Sequence, residues 1–211
     1  MHDPSVRGPV RAPLELTVEP RRMSASRLEG FSDGVIAIII TIMVLEIRPP
    51  HEPTLAALRA MQPTILAYIL SFVFVAIYWN NHHYLLHATK AVTGGVLWAN
   101  MHLLFWLSLT PFVTAWVGNA HEHATPAAAY GVVALMSAVA YTILVVMILK
   151  ANPGSAVVRA IGNDVKGKLS IALYTLGVAL AFVAPWLAYA TYALVSAIWF
   201  IPDRRLEQVE R

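Results

Sequence analysis

Residues 27–46, RLEGFSDGVIAIIITIMVLE, determine how the rest of this chain must be arranged. Two carboxylates in this stretch, Asp33 and Glu46, enclose a run of twelve uncharged residues. As an α-helix that run is about 18 Å long, whereas the hydrocarbon core of a bilayer is about 30 Å thick. Because a carboxylate in lipid is costly, each end must contact protein, an opposite charge or water. The stretch therefore predicts a membrane helix beside a water-filled pathway.

The composition supports a membrane protein. Of the 211 residues, 58% are hydrophobic and 13% are charged, about half of the charged fraction typical of soluble domains. The mean hydropathy is +0.61. Cysteine is absent, which excludes disulfides and thiolate metal sites. The net charge of +3 comes from basic residues beside apolar runs, which indicates membrane topology and not nucleic-acid binding.

The uncharged runs predict an all-α protein with six transmembrane helices. The first begins near Ser24 or Ser26, either of which can cap it, and ends before Pro49 and Pro50. The next three cover about residues 63–87, 95–117 and 126–149, with a kink expected at Pro111. The uncharged run 169–202 is too long for one span, so we divide it at Pro185 into helices 167–183 and 186–201.

Six spans place both termini on one side of the membrane, and the charges identify that side. Of the 15 Lys and Arg residues, only Arg48 and Arg59 fall in loops on the opposite side. By the positive-inside rule, the N- and C-termini are cytoplasmic. Residues 1–23 are then a disordered cytoplasmic tail, 24–203 the six-helix transmembrane domain, and 204–211 a cytoplasmic C-terminal tail.

The first helix carries two candidate apolar faces. One face follows the spacing i, i+3, i+4, i+7 and comprises Ile38, Thr41, Ile42 and Leu45. Around a symmetry axis it would form stacked apolar rings with a hydroxyl layer between them. The helix is apolar nearly all round, so periodicity does not exclude the second face, Ile36, Ile40, Met43 and Ile47. As an alternative to lining a pore, the Thr41 hydroxyl could donate a hydrogen bond to the carbonyl of Ala37 in its own helix.

The two carboxylates of this stretch have different expected roles. Asp33 lies about 140° around the helix from Ile38, so it should point into protein, with Arg27 as a candidate partner in the same or a neighbouring subunit. Glu46 lies near the outer end. It is either a repeated carboxylate at a pore mouth or a solvated helix end.

The histidines of the second span suggest a network more than a catalytic or metal site. His82 and His83 diverge by about 100°, and the pair His83 and His87 comes without an HExxH pattern. We expect hydrogen bonds with Asn80, Asn81 or Asn100, because polar side chains at membrane depth need partners. Neither a phosphate-binding glycine loop nor a GxSxG motif occurs in the sequence, so we do not expect an enzyme, a metal or a cofactor.

Three motifs resemble the transmembrane protein 175 family, the lysosomal potassium channel and its bacterial homologues. They are RxxxFSD at residues 27–33 with the apolar run that follows it, YWNNHH at 78–83, and WFIPDRR at 199–205. The resemblance implies a bacterial-type chain with one repeat, a homotetramer in the bacterial inner membrane, and a central pore lined by the first helix.

The resemblance also implies roles for individual residues. Pore constrictions fall on Ile38, Ile42 and Leu45, and Thr41 falls on a threonine layer proposed as an alternative selectivity element. Ile42-Met43 stands where many members have Leu-Leu, which affects ring diameter. The polar motif residues would form a packing network between the first three spans, here Arg27, Phe31, Ser32, Asp33, Trp79, Asn80, His82, His83 and Asn100.

These observations together predict a cation channel that passes K⁺ in preference to Na⁺ by a modest margin, with other copies of the chain and membrane lipid as its partners. Two alternatives remain. A proton-coupled transporter would use the second-span histidines, and a non-conducting membrane scaffold would pass no ions.

Overall fold

The computed structural model of this protein describes residues 23–154 and 165–200, and these residues are helical apart from turns and short loops. The first four helices are α1 (Ala25–Leu45), α2 (Leu55–Ala60), α3 (Gln62–His87) and α4 (Gly94–Ser108). The remaining four are α5 (Thr110–Ala120), α6 (Ala124–Ala151), α7 (Val165–Ala181) and α8 (Pro185–Phe200). The predicted all-α class is confirmed for the described residues.

Four segments are long and apolar enough to cross a membrane: α1, α3, α4 with α5, and α6. They match the first four predicted spans. The predicted division of the last run at Pro185 is also confirmed, because α7 ends at Ala181 and α8 begins at Pro185. At 17 and 16 residues, α7 and α8 are about 26 and 24 Å long, so the count of six spans stays a prediction.

The ends of α1 follow its sequence. The Ser24 hydroxyl accepts a hydrogen bond from the Arg27 backbone N–H at 3.3 Å, so Ser24 is the N-cap. The helix ends at Leu45, four residues before Pro49. The short helix α2, capped by Thr54, was not predicted and leads directly into α3. The predicted tails, residues 1–23 and 204–211, lie outside the described residues except for Met23.

The third span, in which a kink was predicted at Pro111, is interrupted at Leu109 between α4 and α5. Pro111 lacks an N–H and cannot donate to the carbonyl of Leu107, so the regular hydrogen-bond pattern is interrupted there. Nearby hydroxyls donate to backbone carbonyls around the break, Ser108 to Phe105 and Thr114 to Thr110. The span continues to Ala120 as α5.

The helices form two groups that meet at α3 and α6. Helix α1 packs mainly against α3, α4 and α5, whereas α7 packs on α6 and α8, and α8 also contacts α3 and α6. At one end of the bundle, Asn152 joins the end of α6 to the loop after α3. Its side-chain oxygen accepts from the N–H groups of Lys90 and Ala91. This end therefore carries Lys90 and Lys150, together with the start of α1.

Candidate functional site

The two candidate apolar faces of α1, between which periodicity could not choose, differ in their exposure in the structure. Residues Ile36 and Met43 of the second face are each 1% exposed and pack inside the bundle. On the first face, Ile38 is 59% exposed, Ile42 42% and Leu45 78%. In a single chain the first face is therefore the one available to a pore, to lipid or to another copy.

The Thr41 hydroxyl lies on this exposed side of α1. It donates a hydrogen bond of 2.9 Å to the carbonyl of Ile38, one residue later than the Ala37 carbonyl considered from the sequence. Because its proton is committed to the backbone, the outward side of the oxygen presents lone pairs. An oxygen in that state can coordinate a cation but cannot donate to an anion.

Glu46 lies exposed directly after the last turn of α1. It borders an open groove between the C-terminal half of α1 and α5, whose other walls include Ile42, Phe112, Trp116 and Asn119. Within residues 23–154 and 165–200, no three or more His, Asp or Glu side chains are grouped so that they could hold a metal ion.

A buried chain of hydrogen bonds joins α1, α4 and α3 near the end of the bundle that carries Lys90. The Asn100 amide donates to the Ser32 hydroxyl at 2.9 Å, and the Asn100 oxygen lies 2.7 Å from His82 Nε2. The Ser32 hydroxyl donates in turn to the Leu28 carbonyl at 2.9 Å. These directions make His82 Nε2 the donor. All three side chains are fully buried.

A second set of contacts joins α1 directly to α3. The Trp79 indole N–H donates to an Asp33 oxygen at 3.0 Å, so Asp33 contacts α3 of its own chain. One turn closer to the start of α1, a Glu29 oxygen lies 2.7 Å from His83 Nδ1. The rings of Trp79, His83 and His87 stack along α3 at centroid distances of 5.9 Å. Two carboxylates one turn apart thus face a column of three rings.

Not every residue of the predicted network joins it within one chain. Arg27, Phe31 and Asn80 are exposed. Within the described residues, the side chains of Arg27 and Asn80 have no side-chain hydrogen-bond partner. In the described part of the chain, Arg27 forms no ion pair with Asp33, whose partner is the Trp79 indole. Their participation through a neighbouring subunit stays a prediction.

The sequence reasoning did not identify Glu29 as a site residue. One signal was present, since Glu29 and Asp33 are four residues apart and share a helix face. Their partners lie about fifty residues further along the chain, and only the antiparallel register of α1 and α3 identifies them.

The hydrogen-bond directions at His82 predict opposite results for two amide substitutions. The terminal nitrogen of Gln reaches the position of His Nε2, so His82→Gln keeps the donor to Asn100. Asn reaches only the position of Nδ1, so His82→Asn leaves Asn100 without this partner, at a cost of about 1–3 kcal/mol. We expect His82→Asn to lower the midpoint of thermal unfolding in detergent by about 5 °C relative to His82→Gln. Equal midpoints would contradict the assigned donor.

Comparisons with known proteins place this geometry in context. The family model described as endosomal/lysosomal potassium channel TMEM175 matches residues 27–111. A potassium channel of Chryseobacterium sp. (strain P1-3) is 50% identical over 187 residues, covering 88% of this chain and 97% of that protein. The endosomal/lysosomal proton channel TMEM175 of Homo sapiens is 38% identical over 96 residues, covering 39% of this chain and 19% of that protein.

A solved structure is similar over most of the chain. It is the crystal structure of a lysosomal potassium-selective channel TMEM175 homolog from Chamaesiphon minutus, with 26% sequence identity and a TM-score of 0.76. The match covers 85% of this chain and 97% of that one. The similarity thus extends beyond α1 to the whole helical arrangement.

Proposed function

This chain belongs to the TMEM175 family of ion channels, and from that membership we propose that four copies form a channel selective for K⁺ over Na⁺, with α1 of each copy at a central pore. The family consists of membrane channels and not enzymes, so the relatives support a cation channel. The tetramer, the pore residues and the K⁺ preference are the proposal.

The observation that supports it most directly is that the first apolar face of α1 is exposed, whereas residues of the second face pack inside the bundle. Ile38, Ile42 and Leu45 are available on the outside of the single chain, while Ile36 and Met43 are buried. Four copies of the first face around an axis make three apolar rings, and such constrictions resist water and admit only a partly dehydrated cation. Thr41 adds a layer of oxygens that accept but do not donate. No cofactor is needed beyond the permeant ion.

The topology follows from the grouping of charges. Lys90 and Lys150 share one end of the bundle with the start of α1, and at the same end Lys166 lies 5.7 Å over the Trp199 ring. At the opposite end of the bundle, Arg48 follows α1 and Arg59 lies in the last turn of α2. We place the Lys90 end in the cytoplasm, with six spans over residues 24–203, in the inner membrane of a bacterium. Glu46 then lies at the outer pore mouth.

Flux measurements on purified protein in liposomes test this function. We expect K⁺ efflux down its gradient without saturation, slower Na⁺ efflux, and discrete single-channel steps in planar bilayers. Chemical crosslinking of the same sample is expected to end at four chains. Saturable uptake driven by a pH gradient would favour a proton-coupled transporter, and the absence of any ion flux would favour a scaffold.

Proton permeability is measured in the same liposomes, because some relatives are named proton channels and others potassium channels. A proton flux that persists without K⁺ and exceeds the K⁺ flux would contradict the proposed selectivity.

A further inference from the structure

The short helix α2 is almost uncovered by its own chain. It packs on α3 at the outer end of the bundle and contains no buried residue. Ala57 is partly buried and marks the side that faces the bundle. On the other side, Leu55 is 73% exposed, Leu58 is 48% exposed, and Arg59 is exposed as well. Their spacing of i, i+3, i+4 places these three on one face. The helix therefore presents two leucines and one cation away from its own bundle.

The groove between the C-terminal half of α1 and α5 lies at the same end and has a complementary composition. Its volume of about 630 Å³ is enough for several side chains of a neighbouring helix. Phe112 is 61% exposed and Trp116 37%, with their ring centroids 5.6 Å apart. Glu46 and Asn119 add a carboxylate and an amide to the walls.

Charge favours a protein occupant of this groove over lipid tails. In the part of the chain that the structure describes, neither Glu46 nor Arg59 has an ion-pair partner. A lipid tail would cover the aromatic rings but leave the carboxylate unpaired, which is costly beside hydrocarbon. The outward face of α2 supplies both apolar side chains and a positive charge.

The groove and α2 lie on opposite sides of α1. Asp33 contacts Trp79 of α3, the helix into which α2 leads, whereas Ile42 borders the groove. Asp33 and Ile42 are nine residues apart, which at about 100° per residue places them about 180° apart around the helix. In a closed ring of identical copies, one side of each copy meets the opposite side of the next. The α2 helix of one copy thus comes to the groove of its neighbour, and not to its own.

We propose that α2 of each subunit lies in the groove between α1 and α5 of the next subunit, with its leucines against Phe112 and Trp116 and with Arg59 beside Glu46. This inference rests on the proposed function, in which four copies surround the α1 helices. The partner is a second copy of this chain, and it completes the outer pore mouth. Four carboxylates and four guanidinium groups then alternate around that mouth, so the Glu46 ring does not carry a net negative charge there.

Because the chain contains no cysteine, introduced thiols test this contact directly. The full-length protein carrying Leu58→Cys and Trp116→Cys is reconstituted in liposomes and oxidised with copper–phenanthroline, which joins two adjacent thiols as a disulfide. We expect a ladder of two, three and four linked chains on a non-reducing gel, ending at four. Reduction should return all of it to single chains.

Three controls distinguish this interface from other contacts. Each single cysteine variant should stay a single chain, because an interface between two different surfaces does not bring a residue next to its own copy. Co-expression of the two single variants should give linked pairs and nothing larger. Leu58→Cys combined with Trp186→Cys should give no ladder, since Trp186 is an equally exposed tryptophan at the outer end of α8, away from the groove.

Reversal of the charges tests the ion pair separately. In the double cysteine background, Arg59→Glu places two carboxylates together and should slow disulfide formation about threefold, the size expected for an exposed pair. Adding Glu46→Arg reverses both charges and should restore the original rate. If the cysteine variants fail to fold, chemical crosslinking of the charge variants in the cysteine-free chain decides, with fewer four-chain products for Arg59→Glu and recovery in the double reversal.

The inference is overturned if the double cysteine variant gives no ladder, if a single cysteine variant forms linked pairs as readily, or if the double charge reversal restores nothing. When wild-type protein conducts K⁺ and crosslinks to four chains but the ladder is absent, the proposed channel stands and only this interface is wrong. A wild-type protein that passes no K⁺ and crosslinks to nothing larger than one chain would refute the proposed function, and this inference with it.

Discussion

Replacing Ile38 with alanine is expected to raise the single-channel K⁺ conductance about twofold or more, because in the proposed tetramer it widens a ring formed by four copies of this side chain. Ile38 is 59% exposed in the single chain, so truncation removes little packing within the subunit. Leu45→Ala, at 78% exposure, should act in the same direction at the outer ring. Single-channel recording in planar bilayers measures both, and the K⁺ to Na⁺ permeability ratio is expected to fall with conductance gain.

The neighbouring residue provides a matched control. Ile39 has the same side chain on the same helix but is 3% exposed and packs inside the bundle. Ile39→Ala should cost about 2 kcal/mol of stability through the cavity it leaves, with unchanged conductance in the channels that still assemble. If Ile38→Ala and Leu45→Ala both leave conductance unchanged, or if Ile39→Ala raises it, the assignment of the pore face is wrong.

The helices were predictable from the sequence because their limits depend on local chemistry. Ser24 provides a cap, Pro111 cannot donate a backbone hydrogen bond, and the run ending at Pro202 is too long for one span. These features act within a few residues of where they occur, and their positions in the structure agree with the expectation. The extra turn of helix after Thr54 was missed, because Leu55–Ala60 is short and carries no buried residue.

The faces of α1 were not predictable in this way. A side chain such as Ile38 or Ile36 is equally compatible with lipid, protein or an apolar constriction, so hydropathy carries no directional information on this helix. Polar residues do carry it, since Ser32 and Asp33 must find partners at membrane depth, and both were expected to face protein. The pairing of Glu29 with His83 depends on the register between two helices, which no local pattern encodes.

Alanine at Gly131 or Gly177 is expected to be the most damaging small substitution in the described part of the chain. These glycines lie on α6 and α7 on either side of the Tyr192 ring of α8, which is 1% exposed. A Cβ at Gly131 would overlap the Tyr192 hydroxyl and come within 2.7 Å of a Val178 methyl group, and one at Gly177 would overlap the ring edge. The three helices approach closely only because these positions have no side chain.

The Tyr192 ring cannot move aside to accommodate the added carbon. It stacks on Tyr130 at 5.6 Å and its hydroxyl donates to the Ala127 carbonyl at 3.2 Å. Overpacking of this kind costs about 1–3 kcal/mol, and in addition the hydroxyl loses its partner if α8 shifts. We expect Gly131→Ala to lower the thermal midpoint of the purified protein by about 5 °C or more and to reduce the yield of assembled channels.

Two further variants separate this packing effect from a general intolerance of helix glycines to substitution. Gly94→Ala, where an added Cβ meets nothing within 4 Å, should leave the midpoint unchanged. Tyr192→Leu removes the ring and should make Gly131→Ala less costly in the double variant than in the wild-type background, since mutations of residues in contact are not additive. Because α8 contacts α3 as well as α6, a misplaced α8 also displaces the helix that carries Trp79 and His83. If the midpoint losses of the two single variants add up in the double variant, the clash with Tyr192 is not the cause of the destabilisation by Gly131→Ala.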